Sequence, residues 1–192
     1  MIDLREWIEK VEGAYLKVQY PFLLVDGARR AAGLQGDSEM VYGNTPPAAV
    51  VKLLELAEVR ADDVFYDLGC GFGVPTVVAA RACRKSLGIE ILPEVAAQAQ
   101  QIASALELEN TRFVVADFKT ADVSDGSLIY CYSTCLRPES RKLVADLVAK
   151  TRPGTRILSV THTLEHAELE LREARELSWD GSTRSVYLHV RR

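Results

Sequence analysis

The chain has 192 residues, of which 48% are hydrophobic and 26% charged, and carries a formal net charge of −4. That length suits one core with at most a small appendage, and that balance of side chains excludes intrinsic disorder. The acidic balance disfavours a protein that coats nucleic acid by bulk attraction, because such modules display a basic face.

Leu4, Ile8, Val11, Tyr15 and Val18 fall at helical spacing, with Pro21 as a break and Gly33 as a stop. Residues 1–40 are therefore expected to form a helical appendage or lid. The opening residues lack a signal pattern, and nowhere do about 18 apolar residues run together as a membrane span requires. Cys70, Cys83, Cys131 and Cys135 form no CxxC pair and read as reduced thiols, so the expectation is a cytoplasmic protein. At Thr45-Pro46-Pro47 a helix is expected to begin with Thr45 as its cap, the prolines filling the first turn, and to run to about residue 58.

From Asp63 the sequence alternates between short apolar runs and helical patterns, the signature of a parallel sheet with helices on both faces. Strands are expected at 64–68, 86–91, 111–116, 127–132 and 156–161, with helices at 75–82, 93–106 and 138–150. After Thr161 two strand-like runs, 169–179 and 184–190, are joined by Asp180-Gly181-Ser182 without a helix between them. The expected fold is α/β: a Rossmann-like, seven-stranded, mostly parallel sheet with a C-terminal antiparallel hairpin and an N-terminal helical segment.

The sharpest signal is the strand-to-helix loop of Asp67, Gly69, Gly71 and Gly73. Glycine removes the Cβ that would hold a ligand off the backbone, and the helix that follows offers unpaired N–H groups. A dinucleotide enzyme remains a competitor, but its G-x-G-x-x-G would need glycine or alanine where Val74 stands. The spacing looks instead like the D-x-G-x-G-x-G loop of S-adenosylmethionine enzymes. In that family the aspartate, here Asp67, orders the loop and the cofactor's amino group. Glu90 ends the second strand, where a carboxylate accepts ribose hydroxyls in either class. Asp117 ends the third strand and resembles the acid that receives the adenine amino group in methyltransferases, with Phe118 beside it as a ring to flank the base. The closing hairpin also favours that class.

With Val41-Tyr-Gly-Asn-Thr-Pro-Pro47, Gly88-Ile-Glu90 and Ser185-Val-Tyr-Leu-His189 added, the chain from about Val41 onward resembles the seven-strand protein-lysine methyltransferases. The likeness is to the disruptor-of-telomeric-silencing type and to the ATP-synthase c-subunit lysine methyltransferases. It implies a methyltransferase domain at 41–192 that uses S-adenosylmethionine and releases S-adenosylhomocysteine. It also implies that Tyr42, Gly43 and Thr45 fold over the cofactor. Asn44 stands where the histone enzymes have glutamate. Their paired asparagines beside the transferable methyl fall on Tyr132 and Ser133, so Tyr132, Ser133 and Thr134 are the candidate acceptor-side residues. Tyr187 is a further residue that the final strand could bring there.

His162 and His166 are four apart but lack the H-E-x-x-H order, and no metal site is expected. Ser133 has no G-x-S-x-G elbow. Glu165, Glu168, Glu170, Glu173 and Glu176 read as a solvated acidic helix face able to attract a basic protein. The first functional expectation is methyl transfer to a protein lysine. The alternatives are a small-molecule acceptor, a non-catalytic cofactor-binding module and an NAD-dependent oxidoreductase.

Overall fold

The computed structural model describes residues 4–18, 21–34, 36–41 and 43–192. Helices α1 (Leu4–Tyr15) and α2 (Pro21–Ala31) precede a short 3₁₀ turn at Ser38–Met40 and α3 (Pro47–Leu56). The alternating part follows: β1 (Val64–Leu68), α4 (Val74–Ala79), β2 (Lys85–Glu90), α5 (Pro93–Ala105), β3 (Thr111–Val115), β4 (Leu128–Tyr132), α6 (Pro138–Val148) and β5 (Arg156–Val160). It closes with the hairpin β6 (Leu169–Trp179) and β7 (Ser182–Arg191).

The seven strands run in the order β3-β2-β1-β4-β5-β7-β6. The first five are parallel, and β7 inserts antiparallel between β5 and β6. Every residue of β1 and β5 is buried, as expected of central strands covered on both faces. Side-chain alternation divides the core. Phe65 joins α3 and α4 on one face, whereas Val64, Tyr66 and Leu68 join α6 on the other. Trp7 and Val11 of α1 belong to the first cluster, and Val25 and Ala28 of α2 pack with Phe72, Leu92 and Val95. The N-terminal helices therefore share the core of the sheet domain.

Strand order reverses between β1 and β4, and at such a point the loops leave the C-terminal strand ends in opposite directions and open a crevice. At the opposite end of the sheet a buried network locks the strands. Arg156 pairs with Asp63 and donates to the carbonyls of Ala57 and Glu58, while Asp63 also accepts from Ser127 Oγ at 2.7 Å.

Two expectations are corrected. Thr45 does not cap α3: Pro46 holds the N-cap position without a side-chain bond, and Thr45 turns inward, its buried hydroxyl 2.8 Å from Tyr130 Oη. The glutamates at 170, 173 and 176 lie on extended β6, where Arg172 and Arg175 pair with Glu170 and Glu173, so they form no helical face.

Candidate active site

The C-terminal ends of β1 to β4 open onto a cavity of about 310 Å³, within the range of small-molecule sites. At the end of β1, Gly69 and Gly71 turn left-handed (φ 74° and 54°) and line the cavity with bare backbone. Gly73 plays a different part. A Cβ there would lie 2.3 Å from Phe113 Cε1, so its absence lets α4 approach the sheet, and it faces a small side pocket instead of the main cavity.

Glu90, buried at the end of β2, ties the floor together. One carboxylate oxygen accepts from the Gly71 N–H and the other from the Leu92 N–H, both at 2.9 Å. Burial pushes its pKa above the ordinary value, against these two bonds. Asp117 follows β3 and caps the next turn by accepting from the Lys119 N–H at 2.9 Å. Phe118 presents its ring to the cavity, 3.5 Å from where a Gly69 Cβ would stand.

Asp67 lies in the side pocket with Gly43, Thr45 and Tyr130. Only 2% of it is exposed, it accepts from Thr76 Oγ1 at 2.9 Å, and burial pushes its pKa up to about 7. Tyr132 and Gly43 line both spaces, so the Tyr132 ring stands between them. Arg184 Nε donates to Tyr132 Oη at 2.8 Å while its guanidinium lies 4.6 Å from the centre of the Trp179 ring. Thr134 lines the cavity and shares a 2.6 Å hydroxyl contact with Thr161.

Ser133 is corrected. It is fully buried and donates to the Val160 carbonyl at 2.6 Å, stapling the end of β4 to the end of β5 outside the cavity. β4 ends at Tyr132, and the turn that follows leaves Thr134 in the cavity lining while Ser133 is drawn to the end of β5. Tyr187 also lies outside the cavity lining, half-buried beside His189. Tyr42 lies outside the described residues.

Sequence reading missed Glu39, Lys119 and Leu136 in the cavity wall, where Cys131 and Cys135 also lie, and Arg184 behind Tyr132. The side chain of Glu39 is 3% exposed and accepts from Lys119 Nζ (3.1 Å), the Arg137 N–H (2.6 Å) and Ser140 Oγ (2.8 Å). Burial alone would raise its pKa, yet these bonds hold it below the usual value. No local motif marks such partners, because the contacts span about a hundred residues of chain.

These groups fit S-adenosylmethionine. Two carboxylates suit ribose hydroxyls and an adenine amino group, an aromatic ring suits the base, and a Cβ-free loop admits close approach of a ligand. The chain matches the family described as "Histone methylation protein DOT1" over residues 28–183. It belongs to that family. A protein-lysine N-methyltransferase of Saccharolobus islandicus is 30% identical over 152 residues, covering 78% of this chain and 92% of that protein. A Dictyostelium discoideum histone-lysine N-methyltransferase specific for H3 lysine-79 is 27% identical over 139 residues, 64% of this chain and 8% of that protein. A crystal structure of an RNA methyltransferase from Salinibacter ruber, in complex with S-adenosylhomocysteine, superposes with a TM-score of 0.65 at 27% identity, covering 77% of this chain and 93% of that one. This DOT1-family chain is an S-adenosylmethionine-dependent methyltransferase. Among the described residues no helix is long and apolar enough to cross a membrane.

Proposed function

We propose that this methyltransferase modifies the side-chain amine of a protein lysine. The observation that carries the reading is the similarity to a protein-lysine N-methyltransferase across 92% of that relative's length. The residues at the β4 end of the cavity support it. Cys131, Cys135 and Leu136 make an apolar wall in which Tyr132 and Thr134 supply hydroxyls.

S-adenosylmethionine supplies a methyl on a sulfonium, already an activated electrophile, so the protein's task is alignment and exclusion of water. Glu90 and Asp117 hold the nucleoside end, with Phe118 against the base. Gly43, Gly69 and Gly71 admit the cofactor backbone closely, and Asp67, with Thr45 and Gly73 beside it, serves the amino-acid end. Tyr132 and Thr134 orient the acceptor, and Arg184 positions Tyr132. A lysine ammonium, with an ordinary pKa of about 10.4, loses its proton more readily against an apolar wall, because desolvation disfavours the charged form.

The test supplies methyl-labelled donor to the enzyme with an extract of its own cells, followed by separate protease and ribonuclease treatment and acid hydrolysis of the protein. Label recovered as methylated lysine supports the proposal. Label in ribonuclease-sensitive material, in a base-labile ester or in small molecules assigns another acceptor. No transfer at all contradicts a protein-lysine acceptor in that extract.

A further inference from the structure

Glu39, Met40 and Val41 form one wall of the cofactor cavity, yet the bonds of Glu39 reach across to the opposite side. Glu39, on the 3₁₀ turn Ser38–Met40, extends a buried carboxylate to the start of α6. There the N-cap residue Arg137 makes no side-chain capping bond to the helix. Glu39 ties down this end from about a hundred residues away, taking the Arg137 N–H on one oxygen and Ser140 Oγ on the other. A negative charge at a helix N-terminus is favoured by the free N–H groups and the helix dipole.

Two further ties converge on the same strap. Lys119 Nζ, from the turn that follows Asp117, meets the Glu39 oxygen that Ser140 also uses. Asp37 accepts from Arg137 Nη2 at 2.6 Å, while its carbonyl accepts from Arg29 of α2 at 3.0 Å. One carboxylate thus bridges the N-terminal segment, the adenine side of the cavity at Lys119, and α6. Helix α6 directly follows the loop bearing Thr134, Cys135 and Leu136.

We propose that Glu39 is a positioning residue that clasps the strap 37–41 across the cavity, so that closure over the cofactor orders the first turn of α6 and the acceptor loop before it. The identity of the loop as the acceptor side rests on the proposed function, whereas the clasp itself rests only on the cofactor cavity. The chemistry agrees with this coupling. An open strap would part the Glu39 carboxylate from the Lys119 ammonium, the Arg137 N–H and the Ser140 hydroxyl together, so closure is concerted.

The test uses the full chain and S-adenosylhomocysteine. Dissociation rates by stopped flow and amide hydrogen exchange are measured for wild type, Glu39→Gln, Glu39→Ala and Lys119→Met. Glu39→Gln keeps the size of the side chain and Lys119→Met leaves the α6 cap intact, so the set stays informative if Glu39→Ala fails to fold. In wild type, bound product slows exchange at 137–141 as well as at Gly69 and Gly71. In Glu39→Gln, release accelerates roughly ten- to hundredfold, the span of one lost charge-assisted hydrogen bond, and product no longer protects 137–141 while still protecting the glycine loop. A purely structural role for Glu39 would lower stability without separating those two protections. Release changed by less than tenfold, or exchange at 137–141 indifferent to product in wild type, overturns the clasp. Failure of wild type to bind S-adenosylhomocysteine would overturn the cavity assignment too, whereas binding without lysine methylation would refute only the acceptor.

Discussion

Glu90 Oε2 accepts the backbone N–H of Gly71 at 2.9 Å, so the carboxylate expected to hold the ribose also fixes the loop that passes beneath it. Its other oxygen is anchored by Leu92, which leaves the remaining lone pairs directed by two backbone bonds. Glu90→Gln must place an amide N–H against one of these donors. The expected outcome is faster amide exchange at Gly71 or Leu92, read by hydrogen-exchange mass spectrometry, with little change at β5.

Gly73→Ala should destabilise the fold by roughly 2 to 4 kcal/mol, through a left-handed φ and a collision with Phe113. Gly154→Ala provides the contrast. It is also left-handed (φ 86°), but its added Cβ meets nothing within 4 Å. Urea unfolding of both variants separates the packing cost from the backbone cost.

Arg156→Met should cost about 3 kcal/mol or more, because Asp63 would stay buried without its guanidinium partner. The double variant Asp63→Asn with Arg156→Met should cost less than the sum of the single substitutions, as expected when two charges are removed together. Denaturant midpoints of the four proteins complete the cycle.

Two buried groups give opposite pH slopes. Asp67, raised by burial to about 7, lies above its unfolded value of about 3.9, so its contribution is full at low pH and is lost as pH climbs through 7. Asp67→Asn should therefore gain stability relative to wild type at pH 8 and little at pH 4. His189 behaves conversely. Burial lowers its pKa, and Nε2 accepts from the Leu164 N–H at 3.3 Å, so the neutral ring is favoured and stability is lost as pH falls below about 6.5. Thermal unfolding at pH 4, 5, 6.5 and 8 for wild type, Asp67→Asn and His189→Gln reads both signs.

Much of this architecture was legible in the sequence. The alternation after Asp63, the glycine loop and the Asp180-Gly181 turn are local signals, and the structure places β1, β6 and the hairpin turn where they predict. The cavity also brings together Gly69, Gly71, Glu90, Asp117 and Phe118, because each follows a strand end that topology gathers at the switch point. What escaped depends on side-chain direction and distant pairing. The Val160 carbonyl draws Ser133 away from the cavity, a buried tyrosine draws Thr45 off its helix, and Glu39 finds its partners only once α6 is folded beside it.

Arg184→Met should lower turnover on the order of tenfold while leaving S-adenosylhomocysteine affinity nearly unchanged, because Arg184 meets Tyr132 from behind the cavity. Arg184→Lys restores a charge but not the stacked, forked geometry, and should recover only part of the loss. Steady-state kcat and KM together with product affinity make the comparison.

The most direct test of the account is calorimetric titration of S-adenosylhomocysteine into wild type, Glu90→Ala and Asp117→Ala, with Arg172→Ala as a remote surface control. Wild type is expected to show one site, with affinity weakened at least tenfold by each of the two cavity substitutions and unchanged in the control. Equal affinity across all four proteins would contradict the assignment of this cavity as the cofactor site.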